Sequence, residues 1–480
     1  VTPGRHHVVI ETDAGETAWH GPERCYRALS ELEGYAVYVR GNLTELRHTT
    51  GADLWQAKTW RGKATTMTLD GTTVSVRSLR GALEGCTDPY GELQRAMGWM
   101  AAHGVNPGSL SSMGWNLWRS TLTREVTLDT RPTLGRSAMY GGRQAVRLHL
   151  REDGTPRPFT NMAQVDLRSA YPAAMASRPY AAELRRVDPA TAIDPNVAGI
   201  VMGTVDVPPE LPFGAVPYRV ASDMIQFPSG RVHGYWPWCE VAACRALGLQ
   251  VTVERCWAPA VELDLFGAPW LALAAEAAAL EGYAAKLCKG AINGCWGMFG
   301  MRNDDVGVVR WTDAAGLSAL RTSTPESPLP HAATCHIAAE TAARVRAQLF
   351  DPLYAGIAPI HVDTDGYIVR ASAARLFPSK AGPGEWRVKS VFPSIEVRGP
   401  QFYRYDCRRC GLDHAPWHYV CAGAPPDKAA GIFRSAGRVG SWISDNGIDI
   451  VLPGGNVFDR KGTRAAVADA RAEIGSKYAA

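Results

Sequence analysis

The 480-residue chain has no run of eighteen apolar residues, and its Ala-rich stretch near 267–280 is interrupted by Pro269 and Glu276, so no helical membrane span is expected. Val1–His7 lack a basic-then-apolar leader pattern, so the expected address is cytoplasmic. Lysine is scarce: nine of the 51 basic residues, leaving 42 arginines. Together with 48 Gly and 32 Pro this reads first as the composition of a high-GC genome, although guanidinium forks also suit phosphates. A large excess of one charge is missing too. A net +4 does not by itself announce nucleic acid. Internal repeats and low-complexity linkers are absent. The eleven cysteines are odd in number and scattered, which reads as mostly reduced thiols, and only Cys407-Arg-Arg-Cys410 has metal-like spacing.

What is present is ordinary globular composition, 46% hydrophobic and 20% charged, long enough for about three domains at roughly 150 residues each. Short apolar runs at Val8–Ile10 and Tyr35–Val39 suggest strands. Residues 89–122 read as helices around a Gly104–Pro107 break, and Gln164-Val-Asp166 as an apolar strand ending on a carboxylate. Strand-like runs at Gly199–Val207 and Leu249–Cys256 flank a helix near 239–247. Helices follow over 262–299, a hairpin over 301–330, and a helix over about 334–350. Strands and helices interleave without a strict βαβ rhythm, so the fold class is α+β.

Three segments carry chemistry. In Val362-Asp363-Thr364-Asp365-Gly366, two carboxylates at i and i+2 share one face of an extended strand, where they gather charge that Mg²⁺ or Mn²⁺ could neutralise. In Asp166-Leu-Arg-Ser169-Ala-Tyr171-Pro172, an Asp ends a strand before an aromatic-Pro turn; the plainer reading is a helix N-cap. In Lys289-Gly-Ala-Ile-Asn293-Gly294-Cys-Trp296-Gly297, a cation, an amide and a large ring recur at i, i+4 and i+7 of a helix, which suits a nucleoside triphosphate; the plainer reading is an amphipathic helix.

In that order the three segments resemble motifs A, B and C of the family B DNA polymerases. The intervals of 123 residues from Asp166 to Lys289 and 74 from Lys289 to Asp363 resemble the protein-primed phage and plasmid branch. Met139-Tyr140-Gly141-Gly142-Arg143 resembles the YxGG segment of that branch. Gly384-Glu-Trp386, Gln401-Phe-Tyr403 and Val420-Cys-Ala-Gly423 resemble the stretch after motif C. The resemblance implies a right-hand polymerase of palm, fingers and thumb behind an N-terminal RNase H-like, exonuclease-type domain. It divides the chain into an exonuclease-like 1–125, a palm segment 126–262 with an insertion like the terminal-protein region, fingers 263–300, a second palm segment 301–400 with a hairpin insertion, and a small thumb 401–480. It implies two divalent ions, Mg²⁺ or Mn²⁺, on Asp166, Asp363 and Asp365, with the Val165 and Leu167 carbonyls as further ligands. Lys289, Asn293, Trp296, Ser169 and Tyr171 would serve the incoming nucleotide, Tyr171 as the gate against a 2′-hydroxyl. Tyr140, Gly141, Gly142, Arg143 and Tyr403 would serve DNA. The implied partners are template-primer DNA, deoxynucleotides and a terminal or priming protein, with no membrane.

Departures from the family pattern are specific. Gly294 and Trp296 replace a Ser and a Tyr in motif B, His361 and Gly366 replace a Tyr and a Ser in motif C, and Gln401 replaces a Lys. Ala277 stands where the family has a second triphosphate cation; a Lys there is expected to face the nucleotide, with Lys286 or an arginine elsewhere as a substitute. The exonuclease pattern is degenerate: Val9-Ile10-Glu11 stands where Asp-x-Glu is needed, Asn42-Leu-Thr-Glu45-Leu46 offers no Asp, and nothing near Cys86–Glu92 matches the third motif. Cys407, Cys410, His414, His418 and Cys421 include candidate zinc ligands, but a hairpin with incidental Cys and His is favoured. The expectation is an exonuclease-deficient DNA polymerase. The rival is a catalytically weak, polymerase-like protein that binds DNA or a partner.

Overall fold

The computed structural model describes residues 7–13, 16–20, 36–39, 56–57, 64–69, 72–78, 86, 88–105, 110–122, 132–146, 157–209, 211, 214–221, 224–300, 309–312, 318–321, 334–350, 357–377, 380, 382–399, 402–406 and 417–421. Helices and sheets are mixed, and the chain divides into two compact units. One comprises Val1–Glu125 with Ala268–Met298, the other Val126–Gly267 with Phe299–Ala480.

The first unit opens with strands β1 (His7–Asp13), β2 (Glu16–His20), β3 (Ala36–Val39), β4 (Gln56–Ala57), β5 (Ala64–Leu69) and β6 (Thr72–Ser78). They form one sheet in the order β2-β1-β3-β6-β5-β4, in which β3 runs parallel to both β1 and β6. Helix α1 (Pro89–Ala102) starts where Asp88 accepts the Gly91 amide at 2.9 Å and Pro89 takes a position that needs no amide hydrogen. Helix α2 (Leu110–Thr121) buries Met113, Trp115, Leu117 and Trp118.

The second unit holds a seven-stranded antiparallel sheet and a four-stranded one. Its strands are β7 (Arg143–Val146), β8 (Phe159–Leu167), β9 (Tyr180–Val187), β10 (Ile200–Val207), β11 (Tyr218–Ala221), β12 (Met224–Gln226), β13 (Gly230–Pro237), β14 (Val251–Leu263), β15 (Val309–Thr312), β16 (Ser318–Arg321), β17 (His361–Thr364), β18 (Gly366–Arg370), β19 (Trp386–Gly399), β20 (Phe402–Asp406) and β21 (Trp417–Cys421). The larger sheet runs β21-β20-β19-β8-β18-β17-β7 and the smaller β13-β10-β14-β9; β11-β12 and β15-β16 are separate pairs.

Alternation along β8 decides its two faces. Ala163, Val165 and Leu167 join Val362, Tyr367 and Val369 in one core, while Met162 joins Ile368, Phe392 and Ile395 in another. The intervening Asp166 is thereby placed on the face opposite the first core. Helices α3 (Pro132–Ser137), α4 (Ala170–Ala176) and α5 (Trp238–Ala246) belong to this unit. Helices α6 (Gly267–Ala279) and α7 (Gly282–Phe299) lie almost wholly in the first, and α8 (Cys335–Gln348) returns to the second.

Two arginines of α8 brace the second unit from within. Arg344 pairs with Glu340 at 3.0 Å and donates to the carbonyls of Ala174, Arg178 and Pro179, which tethers the end of α4. Arg346 binds Glu240 through both oxygens, at 2.7 and 2.8 Å, and donates to Tyr140 and Gly141. Burying such charges is costly, and these satisfy almost all their hydrogen bonds with protein groups, which makes the arrangement specific. Among the described residues seven cysteines are free and buried. No described helix is long and apolar enough to cross a membrane.

Candidate active site

Asp166 sits near the end of β8 between two neighbours: Gly366 on β18 and Arg387 on β19. Gly366 is required there, because a Cβ would lie 2.5 Å from the Val165 carbonyl oxygen and 3.0 Å from Asp166 Cβ. This accounts for the glycine that replaces the motif C serine. The two-residue turn between Asp363 and Gly366 brings Asp365 to the same place: the Asp365 carbonyl accepts the Leu167 amide at 2.9 Å, and its own amide donates to Asp363 at 2.6 Å. Thr364 adopts φ 59° in this turn and Ser169, after β8, φ 45°. These are two of the four non-glycine residues with positive φ among those described. Strained backbone of this kind gathers where surrounding structure overdetermines it.

The carboxylates sense one another. Burial first, and then the negative charges of Asp166 and Asp363, raise the Asp365 pKa to about 6 against the opposing charge of Lys389. Oxygen donors in mutual repulsion are the donor set of a hard divalent ion. Yet among the described residues no group of three His, Cys, Asp or Glu side chains is poised to hold a metal. Asp166 is engaged elsewhere: Arg387 donates to both its oxygens, at 2.5 and 3.1 Å, and the Lys389 ammonium stands 3.6 Å away. The donors suit Mg²⁺ or Mn²⁺ in kind.

Val165 and Leu167 are buried on either side of Asp166. Tyr171 is partly buried against the core that includes Leu167 and Ala170. Ser169 precedes α4 without a side-chain cap bond. The N-cap reading of Asp166 is corrected: the carboxylate is in the strand, and Ser169 is the cap residue because the chain turns only there.

The Tyr140–Arg143 segment lies beside the acidic turn, with Thr364 opposite Arg143. A Cβ on Gly142 would fall 2.7 Å from Thr364 Cγ2, so that glycine is demanded by close approach. The Tyr140, Arg143 and Tyr403 side chains are buried. Arg143 donates to the Gly214 carbonyl, with its guanidinium 4.6 Å from the Phe227 ring centre. Tyr403 meets the His361 ring at 5.4 Å. This segment's surface is therefore its backbone rather than these side chains.

In the first unit, α7 buries Ala284, Leu287, Cys288, Ala291, Ile292 and Cys295 and leaves Lys289 and Asn293 exposed, with Trp296 partly so. A Cβ on Gly294 would sit 3.0 Å from Ser111 of α2, and one on Gly114 would sit 1.9 Å from the Ala291 carbonyl. Close approach of α2 explains the glycine in place of the motif B serine. Ala277 is fully buried in α6, which corrects the expectation that a Lys there faces a nucleotide; the helix turns that position into its packed face. Lys286 is exposed, with its ammonium 4.1 Å from the Tyr283 ring centre. Glu11, in β1, has its side chain outside the described residues, as do His418 and Cys421 in β21; Cys407, Cys410, His414 and Gln401 lie outside them altogether.

The residues missed in the sequence are Arg387 and Lys389. Their signal was basic residues at i and i+2 on a strand just after Trp386, which alternation sends to one face.

No protein-family model and no curated protein matches the chain. Solved structures do. The phi29 DNA polymerase complexed with primer-template DNA and incoming nucleotides is similar over 88% of this chain and 93% of its own, with a TM-score of 0.63 and 12% identity. Its orthorhombic crystal form gives 0.61 and 13% identity over 89% and 93%. Its complex with single-stranded DNA gives 0.59 and 12% over 89% and 93%. The chain has a polymerase-like fold.

Proposed function

We propose that this chain is a DNA-directed DNA polymerase of the family B type, adding deoxynucleotides to a primer 3′-hydroxyl without 3′–5′ proofreading. The observation that carries the reading is the meeting of the motif A and motif C carboxylates, Asp166 beside the Asp363–Asp365 turn, in a fold like that of phi29 DNA polymerase. In this reading 126–262 and 301–400 supply the palm, 263–300 with α6 and α7 the fingers, and 401–480 the thumb. The first 125 residues are a degenerate exonuclease-like domain.

Asp166, Asp363 and Asp365 would hold Mg²⁺ or Mn²⁺, with the carbonyls beside Asp166 as further donors. Such ions lower the pKa of an attacking hydroxyl and neutralise phosphate charge. The protein's own part is positioning. The ladder from β18 through β8 to β19 fixes Asp166, and the two-residue turn fixes Asp365 against it. Lys289 would meet phosphate, and Asn293 and Trp296 the nascent base pair. Tyr171, held at the edge of a packed core, would bar a 2′-hydroxyl. DNA template-primer and deoxynucleotides are the substrates, and a terminal or priming protein is a candidate primer.

Primer extension by the purified chain with Mg²⁺ or Mn²⁺ is the test. Template-dependent products are expected. Binding of primer-template with no extension in either metal would instead establish the rival, a polymerase-like binding protein.

A further inference from the structure

Arg387 and Lys389 are two cations on one face of β19, turned toward a carboxylate that the proposed reaction needs. Arg387 is directly opposite Asp166 across the strand pair. The register then slips between Val388 and Ser390, leaving Lys389 as the extra residue of a bulge. Bulges re-aim side chains beside functional sites, and this one keeps the ammonium on the Asp166 side at 3.6 Å. The burial is asymmetric. The Asp166 side chain is 11% exposed, whereas Arg387 is 36% and Lys389 50% exposed, so the cations reach in from solvent toward a nearly enclosed anion.

Charge decides what this arrangement does. With all three carboxylates ionised, two cations leave the cluster one negative charge in excess. With a divalent ion held by these carboxylates the cluster would be net positive, and Arg387 would have to share or give up the Asp166 oxygens that it now binds. A planar fork in that position suits a phosphate, which it can bind through two parallel hydrogen bonds. Of the two helices read as fingers, α6 has no basic residue and buries Ala277, so Lys286 and Lys289 of α7 are the cations those helices offer.

We propose that Arg387, seconded by Lys389, is an exchangeable phosphate-binding arm: it holds Asp166 before metal enters, and it passes to the triphosphate of the nucleotide once a divalent ion takes Asp166. The nature of the ligand rests on the polymerase reading; the exchange rests on the ion pair.

The test uses the full chain, stripped of metal, and two titrations. Mn²⁺ binding is followed by electron paramagnetic resonance, and inorganic triphosphate binding to the Mn²⁺-loaded protein by calorimetry. Arg387→Gln removes the competitor, so Mn²⁺ should bind about tenfold more tightly, while triphosphate should bind about tenfold more weakly, the scale of one charge-assisted hydrogen bond. Lys389→Ala should weaken triphosphate binding by a smaller factor. Should Arg387→Gln fail to fold, Arg387→Lys keeps the charge, loses the fork and should move both isotherms in the same directions by less. An unchanged triphosphate affinity, or a Mn²⁺ isotherm that the Arg387 variant leaves in place, overturns the proposal. Wild-type primer extension is scored separately. Extension with unmoved isotherms removes the arm and keeps the polymerase; shifted isotherms without extension do the reverse.

Discussion

Asp166, Asp363 and Asp365 differ in their surroundings, and that difference makes them separately testable. Asp166→Ala and Asp363→Ala each remove a proposed metal donor without touching the hydrophobic cores on either side of β8. Extension should fall on the order of 10³-fold or more, while affinity for primer-template in a gel-shift assay is retained. Near-normal extension by Asp363→Ala would remove it from the donor set. Asp365 offers a stability measurement. Its pKa is raised from 3.8 to about 6, chiefly by burial and then by Asp166 and Asp363. The folded state therefore binds this proton more tightly than the unfolded one, so stability falls as pH rises from about 4 through about 6. In a chelator, Asp365→Asn should melt about 2 °C or more above wild type at pH 8, and the gap should close toward pH 4. An equal gap at both pH values would mean that the charge is not what costs stability.

Among the elements, the acidic turn and the Tyr140–Arg143 segment depend on each other. Thr364 occupies the space that a side chain on Gly142 would need. Gly142→Ala should cost about 1–3 kcal/mol of stability in denaturant unfolding, as overpacking does, and should depress extension by shifting the turn. Thr364→Ser removes the nearest methyl, so the double variant should recover part of both losses; strict additivity in this cycle would mean that the two residues do not meet. The buried Arg346 acts on the same segment from behind, through the Tyr140 and Gly141 carbonyls. A segment that reads in the sequence as a DNA-facing motif is thus also the wall against which the acidic turn is built.

At the scale of the whole molecule, likeness to phi29 DNA polymerase extends over 88% of the chain at 12% identity. A shared fold at that identity leaves each site residue to be argued from its own surroundings. In the proposed reading the first 125 residues do not cut DNA, because a two-metal exonuclease needs several carboxylates where Val9-Ile10-Glu11, Asn42 and Glu45 stand. An end-labelled single strand incubated with the chain and Mg²⁺ should therefore remain full length on a denaturing gel. Shortening from the 3′ end that persists in Asp166→Ala would show that another set of residues cuts DNA.

The mixed fold class, the strands at β1 and β3, the helices around the Gly104–Pro107 break and the acidic turn were legible in the sequence because they rest on local signals: short apolar runs and turn residues. The order of the three motifs was legible because spacing along the chain is itself a sequence property. Tertiary structure alone decided the rest. Arg387 is 221 residues from Asp166, and only the pairing of β19 with β8 makes them neighbours. Ala277 faces inward because of what packs on α6, and Gly294 and Gly366 are glycines because Ser111 and the Val165 carbonyl stand where their side chains would be. Helical and strand periodicity say which residues share a face. They do not say what that face will meet, since this depends on contacts between segments far apart in the chain.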